Sequence, residues 1–374
     1  MLGTGVYVHI PFCRSRCSYC DFATDIYRDS GAVERYVDSL TSEIQNSRII
    51  VQSPADTVYF GGGTPSLLTP QQVERIIETV RDRIGITFDA EITMEMNPAT
   101  VTLESLTAYR SLGVNRASFG VQTFDDMALK LLARGHNAAD ARNTFKLLRE
   151  AGFDNISLDL IAGLPGQTLG QWEQNLDEAL GLSPEHISLY LLEIHQGTPL
   201  AEQIHSGRQP LPDEELAAQM YEMMLDRLAA AGYSQYEISN FSLPGRESRH
   251  NSKYWTLDPV FGFGVSAHSF DGCERYSNER DTAKYVEMIS SGGSAEVTRE
   301  TVDLCSEYIF LGLRLNAGID IADFRNRFGV EFMVKYEHEA ASLLESELVE
   351  IADGRIRLTR FGRLYSNEVF ALFV

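Results

Sequence analysis

His9-Ile-Pro-Phe-Cys13-Arg-Ser-Arg-Cys17-Ser-Tyr-Cys20 places three cysteines in a CxxxCxxC spacing directly after a β-rich run at residues 6–10. A second β-rich run, 57–60, passes straight into Gly61-Gly62-Gly63-Thr64-Pro65-Ser66, and a helical segment begins near Pro70. Glycines in such a turn let backbone groups approach a ligand closely. Two successive strands therefore each end in a loop suited to binding, and in a parallel barrel such loops share one face.

The same alternation continues outward. Further strands are expected at 92–96, 116–119, 156–161 and 187–191. Between them Val33, Val37, Leu40 and Ile44 recur at helical spacing, as do Val73, Ile76, Ile77, Val80 and Ile84. More helical runs lie near 103–112, 139–151 and 169–180. This is the pattern of an α/β protein built on a partial (β/α)6 barrel.

Three units are expected: the partial barrel over 1–205, a barrel extension over 206–300, and a small helical and hairpin module over 301–374. A Pro-containing stretch at 205–213 leads into a helix around 214–231. The last unit should carry a hairpin, 348–351 and 356–359, turning at Asp353-Gly354, which makes it winged-helix-like. Such modules often bind DNA, but twelve acidic against eight basic residues give this one a net charge of −4. A structural or protein-contact role is expected instead.

Composition narrows the function classes. The 374 residues are 44% apolar and 23% charged, ordinary for a globular protein. A net charge of −21 argues against nonspecific attraction to nucleic acid or anionic lipid, so an anionic ligand needs a local site. No stretch reads as a secretory signal or a membrane span. Five cysteines are too few for a disulfide framework, and a reducing cytoplasm is the expected setting.

Three thiolates can anchor three irons of a cubane and leave the fourth iron open to the amino and carboxylate groups of S-adenosylmethionine (SAM). Zinc is the competing reading, with His9 or Asp21 completing a tetrahedral site. The positions of the cysteine loop and the glycine turn, facing each other after strands one and two, favour the cluster.

At this point the sequence resembles the radical SAM superfamily, and within it the group of oxygen-independent coproporphyrinogen dehydrogenases and HemW-type haem chaperones. The resemblance rests on Tyr7-Val-His-Ile-Pro-Phe-Cys13, the glycine turn, Glu95-Met-Asn-Pro98, Ser118-Phe-Gly-Val-Gln122-Thr-Phe124, Arg134 and Asp159-Leu-Ile-Ala-Gly-Leu-Pro-Gly166. It implies a radical SAM barrel in which Cys13, Cys17 and Cys20 bind a [4Fe-4S] cluster. It also implies that Tyr7, Gly62, Gly63, Thr64, Glu95, Gln122, Arg134 and Asp159 surround SAM.

Within that group the coproporphyrinogen enzymes resemble CxxxCxxCxC, whereas this chain has Phe22 at the fourth cysteine position and begins at the first barrel strand. Both departures point to the HemW-like branch. His250-Asn-Ser-Lys-Tyr254-Trp255 matches the HNxxYW pattern that the resemblance associates with haem, with His250 as an axial ligand and Tyr254 and Trp255 beside the macrocycle. His268, Cys273 and Cys305 read as packing residues, and Arg14 and Arg16 as solvated loop charges. The expected function is a haem chaperone serving an acceptor haemoprotein, with an electron donor. The alternative is a radical enzyme acting on a porphyrinogen.

Overall fold

Six strands with nearly continuous burial form the centre of the molecule: β1 (Thr4–Ile10), β2 (Ala55–Gly62), β3 (Ile86–Met96), β4 (Arg116–Gln122), β5 (Ile156–Ala162) and β6 (His186–Leu191). They run parallel and pair in chain order, so the six expected strands form one curved sheet. This computed structural model describes residues 3–373; residues 1–2 and 374, at the ends of the first and last expected units, lie outside the described residues.

Apolar side chains such as Val6, Val8, Val58, Phe60, Met94, Phe119, Leu158 and Ile187 are fully buried on one face of this sheet. The amphipathic helices Ser30–Asn46, Pro70–Arg83, Ala138–Glu150 and Leu169–Leu182 share their core. The alternate positions are polar. Tyr7 pairs in register with Tyr59 and Tyr59 with Thr93, while Glu95 pairs with Ser118 and Asp159 with Ser188. Because side chains alternate along a strand, these residues line the inner face of the barrel.

The sheet extends beyond the expected six strands. β7 (Ser234–Glu237) and β8 (Asn240–Ser242) continue it antiparallel beyond β6. On the other side β9 (Val260–Phe263) lies parallel to β1, followed by antiparallel β10 (His268–Phe270), β11 (Glu274–Asn278) and β12 (Glu296–Thr301). Among the described residues the sheet has twelve strands and ends at β12 and β7. Residues 206–300 thus widen the barrel sheet on both flanks.

The C-terminal segment has a core of its own, formed by Ile309, Leu313, Phe324, Phe332, Leu343, Ile356, Leu358 and Val369 among others. Short helices pack there against an antiparallel sheet of β13 (Ile319–Asp320), β14 (Val349–Ala352) and β15 (Arg355–Leu358). Asp353 and Gly354, both at positive φ (52° and 73°), make the expected hairpin turn. Arg314 ties this unit to the barrel: its guanidinium lies 4.4 Å from the Trp255 ring and 3.5 Å from the buried Glu237 carboxylate.

Phe324 has no exposed surface and packs against Phe328, Phe332, Tyr308 and Tyr336. Phe324→Ala should cost about 3–5 kcal/mol. Hydrogen exchange should show the protection of residues 304–373 falling while β1 to β6 keep theirs; equal loss in both regions would contradict a separate C-terminal core.

Candidate cofactor site

The cysteine loop leaves β1 at Pro11. Phe12–Cys13 pairs with Asp25–Ile26, which folds the segment carrying the three free thiols back on itself. The Cys20 amide donates to the Cys17 carbonyl at 3.3 Å, and the Ser18 amide donates to Leu132 O at 2.9 Å. The first closes a turn within the loop and the second fastens the loop to the segment that carries Arg134.

The glycine turn meets this loop backbone against backbone. The Gly63 amide donates to Ile10 O at 2.8 Å, and a Cβ built on Gly63 would stand 2.7 Å from the Pro11 carbonyl. Gly62 is at φ 108°, and a Cβ there would strike the His9 ring at 2.5 Å. The glycines therefore serve first to let two loops touch, and this contact sets Thr64 beside Cys13, with Oγ1 3.5 Å from Sγ.

A chain of hydrogen bonds crosses the mouth of the barrel from there. Asn97 Nδ2 donates to Thr64 Oγ1 at 2.6 Å, and Asn97 Oδ1 accepts from Arg134 at 2.8 Å. Arg134 also donates to Gly120 O at 2.5 Å and stands 3.5 Å from both Cys17 Sγ and Tyr19 Oη. Asn97 is thus the bridge between the cysteine loop, the glycine turn and Arg134. It lies within the Glu95-Met-Asn-Pro98 stretch, yet the sequence reading gave it no role; nothing in one sequence distinguishes it from a turn residue.

Glu95 accepts from Tyr59 Oη at 2.7 Å and from the Gly62 amide at 3.1 Å. Desolvation inside the barrel pushes its carboxyl up to about 7, with the Asp159 charge adding to the rise and the two hydrogen bonds opposing it. Asp159 is raised for the same first reason, held back by its hydrogen bond with Ser188 and by the charges of Arg116 and Arg134. Tyr7 Oη bonds His9 Nδ1 at 3.0 Å, and its ring stacks on Tyr59. Tyr59 was the second omission of the sequence reading.

Gln122 sits at φ 68°, a conformation that L-residues seldom adopt and that often marks functional sites. A register shift between β4 and β5 at Gly120/Gln122 produces it. Gln122 Oε1 and Arg134 Nε are buried polar atoms with no partner among the described residues. Unpaired acceptor and donor atoms, two carboxylates and three nearby thiols form a donor set that fits a zwitterionic ligand beside a metal cluster. Among the described residues no three potential metal ligands are already drawn together.

The zinc alternative loses its fourth ligand. His9 Nε2 faces Ala23 O at 2.9 Å while Nδ1 is engaged by Tyr7, and Asp21 is exposed and lies 3.7 Å from Arg280. Burial lowers the His9 pKa and keeps the ring neutral.

His250 packs inside the molecule. It is 1% exposed, its Nδ1 lies 2.9 Å from Thr57 Oγ1, and its Nε2 lies 3.2 Å from Tyr254 Oη. The ring stacks 5.0 Å from Tyr59, and burial pushes its pKa down to about 3. Both ring nitrogens are engaged, so axial ligation of haem by His250 would require one of these contacts to open. The short helix Arg249–Thr256 turns it inward beneath the Tyr7 and Tyr59 rings.

Comparison with known proteins places this geometry. Residues 7–179 match the Radical SAM superfamily model and residues 302–365 the HemN C-terminal domain. The chain is 37% identical to "Heme chaperone HemW" of Bacillus subtilis over 98% of both chains, and 33% identical to that of Escherichia coli over 99% of this chain and 97% of the relative. A bovine mitochondrial radical S-adenosyl methionine domain-containing protein 1 is 37% identical over 84% of this chain and 74% of its own. The solved coproporphyrinogen III oxidase (HemN) of Escherichia coli, described as a radical SAM enzyme, superposes with a TM-score of 0.87 at 25% identity, covering 100% of this chain and 90% of that one.

Two outcomes follow from the site itself. A carboxyl raised from 4.5 to about 7 stabilises the fold below its unfolded value and withdraws that stability as pH climbs through 7. Glu95→Gln should therefore remove a loss on the order of 1–3 kcal/mol between pH 5 and pH 8, seen in denaturant unfolding of apo-protein; parallel pH profiles would sink this. His250→Ala should lower stability at pH 7 by about 2–4 kcal/mol through a cavity and two unpaired hydroxyls. A change below about 1 kcal/mol would mean the ring is not the support described.

Proposed function

This chain belongs to the HemW family within the radical SAM superfamily, and we propose from that premise that it is a haem chaperone, delivering haem to an acceptor haemoprotein. The observation that carries this reading is end-to-end similarity to HemW proteins, C-terminal module included. Phe22 supports the same branch: the side chain at the position of a possible fourth thiol is an exposed phenyl ring.

In this reading Cys13, Cys17 and Cys20 hold a [4Fe-4S] cluster, and Tyr7, Gly62, Gly63, Thr64, Glu95, Gln122, Arg134 and Asp159 form the SAM side of the barrel. Bound there, the pair would supply one-electron chemistry. The chain's own contribution is placement. Glu95 offers a carboxylate to an amine or ribose hydroxyls, Arg134 stands beside Cys17, Gln122 offers an unpaired buried amide oxygen, and Thr64 and Asn97 hold the two loops together. The electron donor is proposed to approach the cluster loop. A reducing cytoplasmic setting suits the three free thiols, and no helix among the described residues is long and apolar enough to cross a membrane.

Anaerobic reconstitution of the full chain tests this directly, following iron, bound haem, 5′-deoxyadenosine and porphyrin product together. We expect about four irons per chain, lost when the three cysteines are replaced, and haem that passes to an apo-haemoprotein on mixing. Conversion of coproporphyrinogen III with no haem uptake would overturn the carrier reading in favour of a radical enzyme.

A further inference from the structure

A groove of about 610 Å³ opens on the outer side of the cysteine loop, away from the polar barrel interior. Its walls are the loop itself (Phe12, Arg16, Phe22, Ile26, Arg28), the first turns of helix Ser30–Asn46 with Arg35, and the start of helix Thr282–Ser290 with Arg280 and Val286. The volume lies within the roughly 300–1,000 Å³ typical of small-molecule sites.

Two features of this groove need explaining. Phe22 is 66% exposed and Ile26 46%, both in the wall of this groove. Four guanidinium groups also line one cavity of a chain whose net charge is −21. Arg280 is engaged with the Asp21 carbonyl at 2.7 Å and Arg16 with the Cys20 carbonyl at 3.4 Å. Among the described residues Arg28 and Arg35 have no carboxylate within ion-pair distance. Of the two carboxylates in the lining, Asp281 caps its helix by accepting from the Lys284 amide at 2.9 Å, and Asp25 is exposed.

We propose that this groove is the haem-binding site, with the apolar macrocycle against Phe22, Ile26, Phe12 and Val286 and the two propionates paired with Arg28 and Arg35. The proposal rests on the haem-carrier reading above and assigns its cargo a place. The occupant follows from complementarity: paired guanidinium groups call for two carboxylates, and the apolar wall between them calls for a flat hydrophobic body. The lining offers the iron no imidazole, thiolate or thioether, so the propionates and the apolar face do the holding and the axial positions are left to the acceptor. An acidic electron-donor protein would meet the same charges, but a concave apolar recess suits a small molecule better than a convex partner surface.

The full-length, cluster-loaded protein is titrated with haem and, separately, with haem dimethyl ester, whose carboxylates are blocked. R28E/R35E should weaken haem binding about tenfold or more while leaving dimethyl-ester binding and iron content unchanged. Phe22→Asp should weaken both ligands. R28Q/R35Q should fall between wild type and the charge reversal, as expected of lost pairing rather than misfolding. Haem binding by R28E/R35E equal to wild type would overturn this site and leave the carrier reading standing. Retained haem affinity together with slower cluster reduction by a reduced low-potential flavoprotein would overturn it in favour of a donor-docking surface. No haem uptake by the wild-type protein would remove the carrier reading, and this site with it.

Discussion

Two carboxylates held inside a parallel barrel, Glu95 on β3 and Asp159 on β5, constrain what surrounds them. Removing such groups from water is costly unless hydrogen bonds and opposite charges are supplied in place. The barrel supplies them strand by strand: Tyr59 and the Gly62 amide serve Glu95, and Ser188 with the charges of Arg116 and Arg134 serves Asp159. Each partner is fixed by the parallel register, which sets Glu95 opposite Ser118 and Asp159 opposite Ser188. The compensation is incomplete, since both carboxyl groups remain raised. A cationic ligand group would relieve that residual cost, which ties the polarity of the interior to what it binds.

The same polar layer explains the HNxxYW segment. Tyr59 carries the Glu95 hydrogen bond, His250 stacks on Tyr59, and Tyr254 engages His250 Nε2. Trp255, next in sequence, packs under Arg314 at the joint with the C-terminal unit. Three residues of one short helix thus run from the barrel floor to the second core. Helical spacing puts His250 and Tyr254 on the same face, and that face is turned inward. The segment braces the site against the C-terminal module.

Much of this was legible in the sequence. The apolar runs of β1 to β6 read correctly because parallel strands bury both faces and the intervening helices carry clear stripes. The cysteine loop and glycine turn were legible from their position after strands one and two. Val260-Phe-Gly-Phe263 was not: four residues carry too little periodicity, and their status as a seventh parallel strand comes from pairing with β1 some 250 residues away. Asn97 and Tyr59 escaped for a related reason, since each acts by joining residues distant in sequence. His250 is a different case. A motif gives residue identity and spacing, but the packing of its helix decides which way the face points.

On the proposed reading, the barrel interior and the outer groove differ in physical character in a way that separates the two ligands. The barrel interior presents Tyr7, Tyr59, Glu95, Asp159, Gln122 and Arg134, with unpaired polar atoms among them. A small zwitterion can satisfy such a surface, whereas a flat apolar macrocycle would cover raised carboxylates and an unpaired amide oxygen without giving them partners, at a cost of roughly 1–3 kcal/mol for each group left unsatisfied. The outer groove has the opposite make-up, with exposed apolar side chains flanked by guanidinium groups. It wastes nothing on a porphyrin and offers little to a zwitterion. The cysteine loop is the wall common to both cavities, with its thiols near Thr64 and Arg134 on one side and Phe22 and Ile26 on the other. Two ligands of unlike chemistry can therefore sit on either side of one twelve-stranded sheet's first loop without competing for the same side chains.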